Sequence, residues 1–598
     1  MPSVPAPLRP SNRQRHRAAG KWIAACAVAG LVAASTVLLA SSFLSYEWLV
    51  AHVDAFTVDG EANVTRTEFD AVVWRLRVLA TGLAVLATAL AAFAEPINRV
   101  VRDVARSWWL GVRTAPTLLR DWALREEGGY IFAFGLTLAA AVAIRVAYLD
   151  VPMRYDEATT YNNFVSKPLY VALANYPTPN NHLLHTFLAK VSVTVFGNEP
   201  WAVRLPALVA GIALVPATFA LGRVLYGRIA ALLAAALVAG SSTLVEYSTN
   251  ARGYTLVALA TVVLFLAAAR ALENDSVGAW GVVPIVGALG LYAVPIMAYP
   301  LGGAFVWILA SGWLAGHPLR PLLARLGVSA LAVTILTLIL YAPVYAASGV
   351  RSVTSNEFVE PRSWRTLLDL VPEHASDTVE IWTRDLPLIA SALLAAGLLA
   401  GLLLTPRISR FPVPPLLAVA VWAALVLALQ RVIPFTRVWL FVVPLAVATA
   451  AGFYGWLLER RPEGARTGQA VAVIVAVGAS LLVRSSESVR ESRETGALLD
   501  APAIAAFLAA RVQPDDRILA TGSDTILEYY LERDGVEAGT LLYTTETRPR
   551  TYVVVNVLGG QTIQDLLRQL DGASRAIGPP KLLKSFGSGL VYLVERPT

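Results

Sequence analysis

The sequence predicts a polytopic α-helical membrane protein with a small α/β domain at its C-terminal end. Three observations carry that prediction. Hydrophobic residues make up 56% of the 598 and charged residues only 15%, with a mean hydropathy of +0.58, far above that of an ordinary soluble domain. The apolar residues fall into runs of about 20, the length a helix needs to cross a hydrocarbon core of roughly 30 Å. After about residue 485 the pattern changes to short apolar runs alternating with amphipathic segments.

About thirteen transmembrane helices follow from the apolar runs, near 22–45, 72–94, 129–149, 201–222, 229–246, 254–272, 279–295, 297–314, 326–346, 387–405, 413–431, 437–458 and 468–484. The net charge of +7 would suggest nucleic acid in a soluble chain, but here arginine clusters between the runs, where it records orientation in a bilayer. Cys26 is the single cysteine, which excludes a disulfide framework and a cysteine-based metal site.

"RPSNRQRHRAAGK" precedes the first run and places the N-terminus in the cytoplasm. The run exceeds the usual h-region of about 7–15 residues, so an uncleaved span is expected rather than a signal peptide. Alternation then puts "RVVRDVARSWWLGVR", "GRVLYGR", "GHPLRPLLARLG", "TPRISR" and "LERRPEGARTG" on the cytoplasmic side. Three polar segments fall outside: 150–200, 347–386 and the tail. In the tail, "RILATG", "TYVVVNVL" and "GLVYLVE" read as strands, and "APAIAAFLAARV" and "TIQDLLRQL" as helices. That pattern predicts a compact extracytoplasmic α/β module. Its "GSGL" and "LGGQT" are turn glycines rather than phosphate loops.

The candidate chemistry gathers in the outer segments. "VPMRYDEATTYNNFV" sets Asp156 and Glu157 just past the third run. Neighbouring residues on a helix point about 100° apart, so both cannot face one target. In "NNHLLHTFLAK", His182 and His185 are three apart and share a helix face, with Asn181 just before them and Lys190 one or two turns beyond. Two histidines and a carboxylate could hold a divalent metal, but spacing fixes no third ligand; no cofactor is assigned, and a divalent cation stays open. Arg204 in "RLPALVAG", Arg252 and Tyr254 in "EYSTNARGYTL", and Arg437 in "QRVIPFTRVW" border the same zone. An acid among several arginines at a membrane surface suits a substrate that carries a phosphate and a hydroxyl. Glu357, Glu360 and Trp364 in the second outer segment could shape an acceptor groove.

The ordered set of a DE pair after an early span, "NNHLL", "FGNEPWAVRLPALVAG" and "YSTNARGYTL" resembles the polyprenyl-phosphate-sugar-dependent glycosyltransferases of the GT-C fold. These include protein O-mannosyltransferases and aminoarabinose transferases. The resemblance covers roughly 129–460. It implies a catalytic base at Asp156, supported by Glu157, and contacts to donor phosphate or substrate from Arg252, His182, Arg204, Tyr254, Asn181 and Arg437. The chain departs from the pattern in carrying two extra spans before the DE loop, and in having Asn180, Asn181 and His182 near where the aminoarabinose branch has a lysine-proline pair. The implied organisation is an N-terminal part (1–128), a transmembrane catalytic core (129–484) and a soluble domain (485–598). The implied setting is the bacterial plasma membrane, with a polyprenyl-phosphate sugar as donor and a glycan, lipid or protein as acceptor.

In the expected chemistry, the donor already has a good leaving group, so the protein must deprotonate an acceptor hydroxyl and neutralise the departing phosphate. A carboxylate does the first and fixed arginines the second, with inversion at the sugar. A transporter or lipid flippase is the competing class, but it would concentrate ionisable groups at the midplane or show an internal repeat. A non-catalytic envelope scaffold is the third.

Overall fold

In a computed structural model, residues 12–53, 65–354, 360–492, 494–544, 546, 548–571 and 578–595 are described; Glu357 and residues 1–11, with the start of the basic N-terminal segment, lie outside them. The chain is a multi-pass helical bundle that carries a small mixed-sheet domain. Each of the thirteen apolar runs is helical. Among the described residues, eight helices are long and apolar enough to cross a membrane, and up to ten if each of two bent pairs forms one span. The remaining runs make shorter helices, such as Val277–Ala293 and Pro415–Gln430.

Burial grades the helices from centre to rim. Arg228–Ala239 is buried almost along its whole length, whereas Arg66–Ala92 and Leu319–Ala347 expose most of their surface. Small residues allow the central helices to approach closely, since lipid supplies little hydrophobic drive between them. A Cβ on Gly455 would stand 2.6 Å from the backbone N of Ala230, and one on Gly222 3.0 Å from Cα of Ala231. Both glycines are contact points where backbone meets backbone.

The run expected as one span over 229–246 breaks. Arg228–Ala239 ends at Gly240, and Ser242–Ser248 leaves at 62°. Ser241 Oγ caps the second piece by accepting from the Leu244 N–H. The polar stretch Glu246 to Asn250 is fully buried. Irregular backbone at this depth is tolerated where protein surrounds it.

Two amphipathic helices escape a search for apolar runs. Ala94–Arg125 is a continuous 32-residue helix where a basic loop was expected, and Trp364–Thr383 meets Leu388–Leu403 at 116°. The tail sheet has the order β1 (Arg517–Leu519), β2 (Arg550–Asn556), β4 (Gly589–Glu595), β3 (Lys581–Ser585). β1 runs parallel to β2, and the other pairs are antiparallel. Three strands match the predicted runs. β3, "KLLKS", was not expected because four of its five residues are exposed and no alternation marks it.

Candidate active site

The segment "YDEATT" folds as a short helix, Tyr155–Thr160, continued by a π-helical turn over Tyr161–Val165. The Glu157 carboxylate reaches back to the Arg154 N–H at 2.9 Å, which closes the helix N-terminus. The helix geometry sends Asp156 and Glu157 in different directions.

Glu157 points inward and is fully buried. The Arg204 fork grips it through Nε to Oε1 at 2.7 Å and Nη2 to Oε2 at 2.6 Å. The Ala251 N–H adds a bond at 2.8 Å. Burial alone would raise the carboxyl, but Arg204, with Arg154 behind it, outweighs burial and holds it below the usual glutamate range. Arg204 also donates to the carbonyls of Leu149, Val151 and Pro152. All five of its N–H donors are thus used inside the protein. Arg204 therefore pins the loop, with no N–H of its guanidinium left free.

Asp156 points the other way, with its side chain 20% exposed. Arg252 Nη2 stands 3.9 Å and Arg437 Nη2 4.0 Å from its Oδ2. Arg437 Nε donates to Tyr254 OH at 3.2 Å, and its guanidinium lies 4.4 Å from the Phe435 ring centroid. Arg252, 3% exposed, is held by the Asn180 side chain and carbonyl and stands 3.4 Å from Thr160 Oγ1.

His182 is buried edge-on to Tyr254, with ring centroids 5.0 Å apart. Its Nδ1 accepts the Gly253 N–H at 2.8 Å, so that nitrogen carries no proton. Burial, then the charge of Arg252, drives the ring far below the ordinary histidine range. His182 is therefore a neutral imidazole with its proton on Nε2, able to donate one hydrogen bond but not to supply a charge. Asn181 is committed elsewhere: its Nδ2 donates to the carbonyls of Ala172 and Asn175, and its Oδ1 accepts from Thr186. It knots the loop, and its neighbour Asn180 is the one that touches Arg252. His185, on the same helix face as His182, is fully buried with both ring nitrogens unpartnered. Among the described residues no group of three His, Cys, Asp or Glu side chains is placed to hold a metal.

The tail domain reaches into this site. The Met153 N–H donates to Tyr530 OH at 2.9 Å, and Asn162 Nδ2 donates to Thr525 O and Glu528 Oε2, both at 2.9 Å. The Tyr155 N–H donates to Gly496 O at 3.2 Å, and Arg154 Nη2 to Val489 O at 2.8 Å. These contacts join positions more than 330 residues apart, and no local pattern announces them. Arg154 could have been suspected, since it directly precedes the acidic pair.

Residues 179–345 match the family described as dolichyl-phosphate-mannose-protein mannosyltransferase. Two solved structures of ArnT from Cupriavidus metallidurans share the architecture. The apo form superposes with a TM-score of 0.51, covering 77% of this chain and 97% of that one. The form bound to undecaprenyl phosphate superposes with a TM-score of 0.53, covering 78% and 98%. The chain has the GT-C glycosyltransferase fold. Identity to both is 13%, so within this GT-C scaffold the architecture is shared while side chains must be argued position by position. No curated protein matches the chain in sequence. The family match spans Asn180, His182, Arg204, Arg252 and Tyr254 but stops short of Arg437 and begins after Asp156 and Glu157.

Proposed function

We propose that this GT-C protein is a membrane glycosyltransferase that moves a sugar from a polyprenyl-phosphate donor to an acceptor hydroxyl, with Asp156 as the general base. The observation that carries the proposal is the Asp156 carboxylate, partly open to solvent and flanked by Arg252 and Arg437 at 3.9 and 4.0 Å. Both separations exceed hydrogen-bond length, so neither arginine is locked onto the acid. A phosphate entering between them would find two guanidinium groups fixed by Asn180 and Tyr254. Such preorganised cations favour charge that develops on a departing phosphate.

In the proposed reaction, Asp156 takes the proton of the acceptor hydroxyl. The oxygen attacks the anomeric carbon, the bond to the phosphate breaks on the opposite face, and Arg252 and Arg437 receive the polyprenyl phosphate. One displacement inverts the centre. Glu157 is already held by four donors, which supports a positioning role for it rather than a nucleophile's and disfavours double displacement. Undecaprenyl phosphate, which one ArnT structure contains, is the lipid class we propose for the donor. We further propose a bacterial plasma membrane setting with the N-terminus cytoplasmic, the site and residues 485–598 outside, and a core spanning 129–484.

The test is incubation of purified protein with polyprenyl-phosphate sugars and candidate acceptors, following release of polyprenyl phosphate. Release by wild type and none by Asp156→Asn is the expected result. Wild-type protein that stays folded yet releases nothing from any donor would overturn the reading.

A further inference from the structure

The helix Ala94–Arg125 plays no part in the site, yet its sequence is strongly ordered. Arginines recur at every seventh position, Arg99, Arg106, Arg113 and Arg120, and all four are exposed. Seven residues are nearly two turns, so the four form one row spaced about 10.5 Å apart with a drift of roughly 20° per step. About 100° or more round the helix lies an apolar stripe. There Val112 is 76% and Leu119 63% exposed, while Trp109 and Leu124 lie within about 40° of the row, Trp109 under the Arg113 guanidinium, 5.0 Å from the ring centroid.

The depth of this helix is fixed by its neighbours. Trp108 Nε1 donates at 2.9 Å to the carbonyl of Gly278, the second residue of Val277–Ala293. Val104 packs so close to Gly281 that a Cβ there would meet it at 2.6 Å. The far end of Val277–Ala293, roughly 25 Å away by helix rise, lies against Gly253 and His182 in the candidate site. At its C-terminal end the arginine helix sets Trp122 against Phe219, late in Pro200–Leu225. The residues just before the start of that helix, Asn198 and Glu199, touch the tail domain. The arginine helix therefore lies against the ends of two helices, each remote from the end near the site. At about 48 Å it runs across those ends.

We propose that this helix is an interfacial platform that seats its apolar stripe at the acyl boundary and binds the anionic phospholipid headgroups of that leaflet through the arginine row. A basic row flanked by exposed apolar residues and a tryptophan, held at the level of helix ends, is the arrangement that binds such a surface. Charge complementarity selects the lipid: against the six arginines of the helix stand only Glu95, Asp103 and Asp121.

The experiment compares full-length wild type with a variant in which Arg99, Arg106, Arg113 and Arg120 are all changed to Gln, and with the matching change to Lys. Each is reconstituted with mixed phosphatidylglycerol and phosphatidylcholine, and retained lipid is counted by native mass spectrometry. The expected result is preferential retention of phosphatidylglycerol by wild type and by the Lys form. The Gln form should lose that preference, by about fivefold per arginine removed. Equal retention of the two lipids by wild type, or an undiminished preference in the Gln form, overturns the proposal. So does retention of an acidic soluble protein in place of lipid. If the fourfold variant does not fold, the pairs Arg99/Arg106 and Arg113/Arg120 are changed separately, and wild-type lipid preference alone still decides.

Discussion

The two faces of the helix Tyr155–Thr160 are held in opposite ways. On the inner face, Glu157 takes four hydrogen bonds of 2.9 Å or less and sees no solvent. On the outer face, Asp156 has only two guanidinium neighbours, at 3.9 and 4.0 Å, and meets water. One acid is consumed by the fold; the other is left available. The difference shows how adjacent residues of the same chemistry divide the labour of a site. A buried carboxylate must be fully paired, because its charge is otherwise too costly. Only an incompletely paired one keeps lone pairs for a substrate.

That contrast is broken most severely at Asp156. Asp156→Asn should lower sugar transfer by about 10²- to 10⁴-fold, the usual contribution of a positioned base, with melting temperature unchanged. A variant that melts like wild type and still transfers at wild-type rate would remove Asp156 from the chemistry. Glu157→Gln should show the reverse profile. It leaves Arg204 buried without its charge partner, a loss of about 3–5 kcal/mol, to be read from thermal unfolding in detergent. Activity should fall with the folded fraction, and the surviving molecules should keep donor KM.

The arginines sharpen the outer half of the comparison. Arg252→Gln should reduce kcat by about 10²-fold, as does loss of one preorganised donor to developing charge. Arg204→Gln should act on stability instead, because every donor of Arg204 is already spent inside the protein. If the two variants behaved alike in a kcat assay on folded protein, the distinction between a site arginine and a scaffold arginine would fail.

Much of this was legible in the sequence, and the failures have a physical pattern. The apolar runs fixed where helices form, since 20 apolar residues leave a chain little alternative in lipid. The acidic pair, Arg252, Tyr254 and Arg437 were visible as charge and aromatic groups at span ends, and the structure brings them together. What stayed hidden was partnership over distance. Nothing near Arg204 says that its fork closes on a carboxylate 47 positions earlier. Nothing near Asn181 says that it will bond Ala172 and Asn175 rather than leave its side chain free. Amphipathic helices were lost for a different reason. Ala94–Arg125 has the wrong composition for a span, so apolar runs alone predict a loop there, although arginines recur every seven residues from Arg99 to Arg120.

The tail domain gives a smaller test of the same division. Tyr530→Phe removes the hydroxyl that accepts the Met153 N–H, worth about 1 kcal/mol. If the tail only packs on the bundle, stability should drop by that amount and kcat should not move. If it holds the acidic helix in register, kcat should fall several-fold more than stability predicts, while donor KM stays constant. Asn162→Asp, which faces Glu528, should reproduce the loss, and Glu528→Gln in that background should restore it.

The response to pH separates the histidine from the buried acid. His182 is buried as a neutral ring, and its protonation in the fold is driven far below the ordinary value, about 6.5 in an unfolded chain. The unfolded state therefore takes up a proton first as pH falls below that value, and stability declines from there down. One such group contributes a slope of at most about 1.4 kcal/mol per pH unit. Glu157 works in a separate, lower window. Its carboxyl is depressed, so its contribution is complete above the unfolded value of about 4.3 and fades only below it. Melting measured at half-unit steps should thus show two regimes. His182→Asn should lessen the upper slope, leaving the share of His185, whose ring burial pushes down to about 3, and keep the acid-side loss intact, whereas Glu157→Gln should flatten the lower one alone. A single transition abolished equally by either change would mean that the acidic helix and the His182 loop unfold as one unit.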